Sequence, residues 1–322
     1  MTVMTLDELQ TKTTAVFTPR GLIRITGESR LDLLDRMSTN RVKQLGAGQG
    51  TATILTSDIG RIIDRLLVYA ADDHIWLVTG PNNGENIIRY LMRFVFFNDD
   101  FHMANQSADR QVLGVYGGAS TAVFTTLALL NSDDDLALHQ WQAVQLGDLT
   151  ATLHRTDPIG GASYFLIVPA AQSTEWQSQL TAAGAQAIDN ETYQRLRVQA
   201  GLPQLGAEMS LDFIPLETNL WDDVSFNKGC YIGQEIIARM ESRGRLAKKL
   251  VQFRLPSSAA PTAGSDILAD GKAVGMLTSV AGAYALGYVK TAMLTDLPQL
   301  TTSDNQPLNI TQIFERPEPE TT

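Results

Sequence analysis

Lys228-Gly229-Cys230-Tyr231-Ile232-Gly233-Gln234-Glu235 is the run on which the reading of this chain turns. Cys230 is the only cysteine among 322 residues. A lone thiol with no partner at disulfide or metal spacing reads, taken alone, as a small buried hydrophobe. Its neighbours change that weight. Gly229 and Gly233 mark a close backbone approach or a special dihedral on either side of the thiol. Beyond them, Ile236, Ile237 and Met240 interleave with Glu235, Arg239 and Glu241 at helical spacing. The thiol is therefore expected at or just before a helix N-terminus. Free amide N–H groups, the helix dipole and Lys228 would lower its pKa there and make Cys230 a nucleophile or ligand.

Upstream of this run, Gly21 to Ile25 reads as a strand and Glu28 to Met37 as a helix carrying Leu31, Leu34 and Met37 on one face. Gly50 to Thr56, Ile62 to Tyr69 and Ile75 to Val78 read as strands split by Ser57-Asp58-Ile59-Gly60 and Ala71-Asp72-Asp73-His74, an antiparallel meander. Ile87, Ile88, Leu91, Phe94 and Val95 form one face of an amphipathic helix expected to pack on that sheet. A second round follows, with strands near Val112 to Val115, Ala151 to Leu153 and Tyr164 to Val168, and helices near Thr121 to Leu130, Ser173 to Ala183 and Asn190 to Ala200. The elements show no regular βαβ period, so the fold class is α+β. From Lys249 onward, short strands and glycine turns, with Asp270-Gly271 as a two-residue hairpin signal, predict a separate small β-barrel or sandwich.

Composition narrows the class. With 44% hydrophobic and 19% charged residues the chain resembles ordinary soluble domains, and neither disorder nor membrane residence is suggested. No apolar run approaches the roughly 18 residues of a membrane helix. Residues 1–20 carry Asp7, Glu8 and Lys12 without an apolar segment and read as neither a signal nor a transit peptide. One cysteine suits a reducing compartment, so residence is expected to be cytoplasmic. A net charge of −10 argues against non-specific attraction to nucleic acid or to an anionic membrane by the molecule as a whole. His74, His102, His139 and His154 show no metal-ligand spacing, and no metal site is assigned.

The octapeptide from Lys228 to Glu235 resembles the signature of the YgfZ family, folate-binding proteins related to the T-protein (aminomethyltransferase) of glycine cleavage. The likeness extends along nearly the whole chain. Arg195 to Pro203 is similar to the T-protein stretch that contributes an arginine to the folate, and Arg197 matches that arginine. Ser57 to Val68 is similar to the strand carrying the catalytic aspartate, and Val274 to Ser279 and Ala285 to Val289 resemble the C-terminal domain. The resemblance implies a three-lobed arrangement around a central folate pocket. In it, residues 1–246 form the folate-binding region of two interleaved α+β lobes, 247–315 the C-terminal β-barrel and 316–322 a disordered tail. Tetrahydrofolate is the implied cofactor, with Arg197, Asp64, Lys228, Tyr231, Gln234 and Glu235 as its binding residues and Cys230 as the catalytic one. Trp221, Phe226 and Tyr231 are candidates to stack on the pterin ring.

Departures from the aminomethyltransferase pattern matter as much. Where the family has paired aspartates this chain has Asp64-Arg65, and Asp64 can stand for either member. Between Arg155 and Pro169 the register is kept and the polar content is gone. The family's tyrosine is Pro158, one glutamate is Gly161, and the glutamate that holds the pterin falls at Phe165. The resemblance therefore implies support of iron–sulfur cluster assembly or repair, with a link to tRNA modification and iron–sulfur client or assembly proteins as partners, ahead of aminomethyl transfer. Two rivals stay open: a folate-dependent aminomethyltransferase, and a non-catalytic scaffold contacting RNA through Arg239, Arg243, Arg245, Lys248 and Lys249.

Overall fold

Three sheet systems organise the computed structural model, which describes residues 4–131, 136–256, 261–295 and 298–316. The first is a five-stranded antiparallel sheet in the order Gly50–Thr56, Ile62–Ala70, His74–Pro81, Arg20–Thr26, His102–Asn105. Its first three strands are the meander that the turn residues predict. Helices Arg30–Met37 and Gly84–Met92 cover one face, burying Leu33, Leu34, Met37, Ile87 and Leu91 against Ile23, Ile25, Leu66, Val68 and Leu77. The second helix stops at Met92, short of the predicted run, and Phe94 and Val95 reach the same core from the turn that follows.

The second system is a six-stranded sheet in the order Gln186–Ala187, Thr14–Thr18, Arg110–Tyr116, Ser163–Pro169, Leu149–Thr156, Trp141–Leu146. Helices Ser120–Thr126 and Ser173–Ala182 bury Val123, Phe124, Trp176 and Leu180 against Leu113, Val115, Tyr164 and Leu166. The opposite faces of the two sheets meet. Leu22, Leu67, Tyr69 and Val78 of one pack with Val16, Val112, Phe165 and Ile167 of the other. Because a strand alternates faces, Leu66 and Val68 serve the helix layer while Leu67 and Tyr69 serve this sandwich. Burying both faces gives the near-continuous apolar runs seen in these strands.

A closed barrel of Lys248–Arg254, Tyr284–Lys290, Lys272–Ala281, Asp266–Ala269, Leu300–Thr301 and Pro307–Ile313 completes the molecule. Val251, Phe253, Ile267, Leu277 and Val289 fill it. Asp270 (φ 48°) and Gly271 (φ 74°) form its tight hairpin, both in the left-handed region that such a turn requires. The irregular stretch 200–233 joins barrel to sandwich, with Met209, Phe213 and Leu216 sharing a core with Leu250, Leu286 and Tyr288. The arrangement is α+β, as expected from the sequence. Strands Thr14–Thr18 and Trp141–Leu146 are additions that the sequence reading lacks. Of the tail expected at 316–322, residues 317–322 lie outside the described residues.

Candidate functional site

A cavity of about 550 Å³ opens where sandwich, irregular stretch and barrel meet. That volume lies in the range of ~300–1,000 Å³ usual for small-molecule sites. Strand Ile62–Ala70 contributes Arg65 and Leu67, and His74–Pro81 contributes Val78. Arg20 opens its own strand, and Tyr193 and Arg197 come from helix Asn190–Gln199. Asp157 and Asp223 arrive on loops, and Gln312 and Phe314 from the end of the barrel.

Arg65 joins two of the wall's carboxylates. Its Nε and Nη2 donate to the Asp223 carboxylate at 2.5 and 3.3 Å, and its Nη1 and Nη2 to that of Asp157 at 2.6 and 3.0 Å. Burial works to raise the Asp157 carboxyl, but the Arg65 charge and hydrogen bonds outweigh it and hold the group at about 2. The cluster therefore carries two carboxylates for one guanidinium. His139, held at φ 64°, lines the same wall, and burial keeps its pKa below the ordinary value.

Asp64 stands one residue away and faces the other side of the sheet. Its carboxylate accepts from the Gly80 amide at 2.9 Å and from Asn83 Nδ2 at 2.8 Å, and it is fully buried. Burial, opposed by the Asn83 and Gly80 hydrogen bonds, raises its pKa from 3.8 to about 6. Asp64, expected from the sequence to bind the cofactor, does not line the cavity: alternation along the strand gives that position to Arg65. Both faces of this strand are apolar, so hydrophobic patterning could not say which of the two charged residues points inward.

Arg197 does line the cavity, 4% exposed. Its guanidinium is already engaged, with Nη1 donating to Glu208 Oε2 at 3.0 Å and to the Leu202 carbonyl at 2.7 Å. Nη2 donates to Ser279 Oγ of the barrel at 2.8 Å and Nε to Gln194 at 2.8 Å.

The octapeptide lies apart from this cavity. Cys230 is exposed, so the thiol is accessible and the reading of it as a buried hydrophobe fails. Helix Gln234–Arg243 begins after an N-cap at Gly233 (φ 82°), which leaves the thiol three residues ahead of the cap, outside the first turn. Lys228 does not line the cavity. Its Nζ donates to the carbonyls of Asp35, Ser38 and Asn40 at 2.6, 2.9 and 2.7 Å, so all three donors close the end of helix Arg30–Met37. Tyr231 is buried, with Lys228 Nζ 5.7 Å from its ring centroid, and burial pushes its hydroxyl up to about 12. Lys228, Tyr231, Gln234 and Glu235, expected from the sequence to bind the cofactor, do not line the cavity either. Nor do Trp221 and Phe226, which form a tilted pair under Arg316.

The basic cluster is partly spoken for. Lys248 donates to the Asp212 carbonyl at 3.1 Å and lies over Phe213, and Lys249 pairs with Glu315. Arg239 and Arg245 remain exposed. The polar losses in the loop after Asp157 also have a local reason. At Gly161 (φ 140°) a Cβ would stand 2.5 Å from the Gly118 Cα, so no side chain fits there. Phe165 is buried in the sandwich core. Arg20, Arg65, Asp157, Tyr193, His139 and Asp223 are among the cavity residues that the sequence reading did not assign. Asp157 and Asp223 sit in stretches without periodicity, and only the fold brings them to one guanidinium.

Paired sheets sandwiched between helices and closed by a barrel around a polar cavity define the class of T-protein-like folds. The glycine cleavage system aminomethyltransferase T of Bartonella henselae matches with a TM-score of 0.79 over 94% of this chain and 85% of that one, at 17% identity, a likeness of fold alone. Residues 17–228 match the GCVT N-terminal domain and residues 248–314 the CAF17 C-terminal beta-barrel domain, and the chain belongs to the YgfZ/CAF17 family that joins the two. Among relatives, a putative chloroplastic transferase of Arabidopsis thaliana is 29% identical over 277 residues, 84% of this chain and 63% of that protein. An aminomethyltransferase of Halothermothrix orenii is 27% identical over 84% of this chain and 78% of its own length. The tRNA-modifying protein YgfZ of Yersinia pestis is 27% identical over 77% of this chain and 72% of its own. Among the described residues no helix is long and apolar enough to cross a membrane.

Proposed function

We propose that this chain is a cytoplasmic folate-binding protein that supports assembly or repair of iron–sulfur clusters in client enzymes, those of tRNA modification among them, with tetrahydrofolate in the cavity and Cys230 as its reactive group. The observation that carries the reading is the pairing of a cavity lined by charged and apolar side chains with an accessible thiol outside it. The cavity residues fit a flat ring with an acidic tail: Leu67, Val78 and Tyr193 offer apolar and aromatic wall, Asp157 and Asp223 acceptor oxygens, and Arg20 a cation. Tetrahydrofolate, when bound, supplies one-carbon chemistry at its ring nitrogens. The protein's part there is to hold and orient the ligand and to exclude water.

Aminomethyl transfer is the weaker reading because the cavity presents Arg65 where the strand could have offered a carboxylate, and Asp64 is turned behind the sheet. A role as an RNA scaffold loses Lys248 and Lys249 to internal contacts. A single thiolate can ligate iron, with the remaining ligands drawn from a partner, since a cluster takes about four.

The test is Cys230→Ser in cells, scored by the activity of iron–sulfur enzymes, beside tetrahydrofolate titration of the purified variant. Enzyme activity should fall while folate affinity and thermal stability stay at their original values, because the thiol lies outside the cavity and the core. Undiminished enzyme activity would sink the proposal.

A further inference from the structure

Three arginines, Arg20, Arg65 and Arg197, line the cavity. Two of them are neutralised from within. Arg65 is gripped by Asp157 and Asp223, and Arg197 is paired at 3.0 Å with Glu208, whose side chain is fully buried. A ligand anion that recruited either would draw a buried carboxylate's partner away, and an uncompensated buried charge costs more than the new pair returns. Arg20 differs. It forms no ion pair with a carboxylate among the described residues, and its guanidinium lies 5.7 Å from the Phe165 ring centroid, next to Tyr193. Asp64 and Asp157 act on it only at longer range. The half-buried cation therefore faces the cavity with its charge unspent.

We infer that Arg20, and not Arg197, is the residue that binds the anionic end of the cavity's ligand. The ligand class is an aromatic molecule bearing a carboxylate, which Arg20 takes by charge-assisted hydrogen bonds without disturbing an existing pair. Under the folate reading, on which this identification of the anion rests, the group is a carboxylate of the p-aminobenzoylglutamate tail. The carboxylates around Arg65 then face the N–H-rich ring.

Calorimetric titration of the intact chain, R20Q and R20K separates the possibilities, with tetrahydrofolate, tail-less tetrahydropterin and free p-aminobenzoylglutamate as probes and melting curves as a check of folding. R20Q should weaken tetrahydrofolate about 10- to 100-fold and leave tetrahydropterin within about twofold. R20K keeps the charge without the fork and should fall between. Unchanged tetrahydrofolate affinity in R20Q, or equal losses for tetrahydrofolate and tetrahydropterin, would overturn the assignment. If R20Q does not fold, R20K decides it: a severalfold loss confined to the tailed ligand supports the inference, and a loss for both ligands defeats it. Should the original chain bind p-aminobenzoylglutamate through Arg20 but not tetrahydrofolate, the anion site stands and the folate reading falls. Should it bind none of the three, both fall.

Discussion

Asp64 and His154 are buried titratable side chains that pull the stability of this fold in opposite directions. His154, stacked on Trp141 with rings 5.3 Å apart, is held neutral by burial, its pKa lowered from 6.5 to about 3. The unfolded chain takes up this proton first, so His154 costs stability as pH falls below 6.5 toward 3. Asp64 has its pKa raised from 3.8 to about 6, so its contribution is fully present below 3.8 and is lost as pH rises through 6. The Asp64 effect is on the order of 3 kcal/mol across that window. Urea unfolding at pH 4.5, 5.5 and 7 should show Asp64→Asn gaining on the original chain as pH rises. His154→Phe should gain on it as pH falls. Parallel pH profiles for all three proteins would refute the assignment. Neither residue lines the cavity, so both substitutions act on folding and leave the cavity wall intact.

The octapeptide works as an element that straps two parts of the molecule together. Lys228 ties it to the end of helix Arg30–Met37, and the Ile232 carbonyl accepts from Thr56 Oγ1 at 2.5 Å. Gly233 presses on the turn at 57–60, where a Cβ would meet the Ser57 carbonyl oxygen at 2.5 Å, so no other residue fits that position. Those contacts account for Lys228 and Gly233 without invoking the ligand, whereas a Cβ at Gly229 would meet nothing within 4 Å, so the close approach expected there is not found. Lys228→Met should cost about 2–4 kcal/mol, since it strands three carbonyls at a helix end. Chemical denaturation measures that loss, and tetrahydrofolate affinity should stay unchanged. A variant of full stability with weakened folate binding would return Lys228 to the cavity.

At the scale of the whole molecule, barrel and sandwich share buried polar bonds as well as core. Thr278 Oγ1 donates to Glu208 Oε1 at 2.7 Å, the Tyr288 hydroxyl donates to the Glu208 carbonyl at 2.7 Å, and Gln252 Nε2 donates to the Val198 carbonyl at 2.8 Å. Phe213 stacks on Tyr288 at 3.7 Å. The partition at 246/247 proposed from sequence therefore crosses a continuous interior. Far-UV dichroism and tryptophan fluorescence should report one coincident unfolding transition. Removal of residues 247–322 should leave a chain that does not fold, because Glu208 and Arg197 lose barrel partners and Met209, Phe213 and Leu216 lose the barrel residues they pack on. Two separated transitions, or a stable truncated chain, would show that the lobes are independent.

The family, the α+β class and the barrel were legible in the sequence, because they rest on local regularities: the octapeptide, the period of the apolar residues and the left-handed turn at Asp270-Gly271. The octapeptide also singled out the thiol, but its surroundings were not legible. Burial of both faces of strand Ile62–Ala70 erased the pattern that would have told Asp64 from Arg65. Only the tertiary structure decided that Arg65 gathers Asp157 and Asp223 from distant loops, that Glu208 neutralises Arg197 and that Lys228 closes a helix. Which charges meet depends on contacts between residues far apart in the chain, and no local period encodes them.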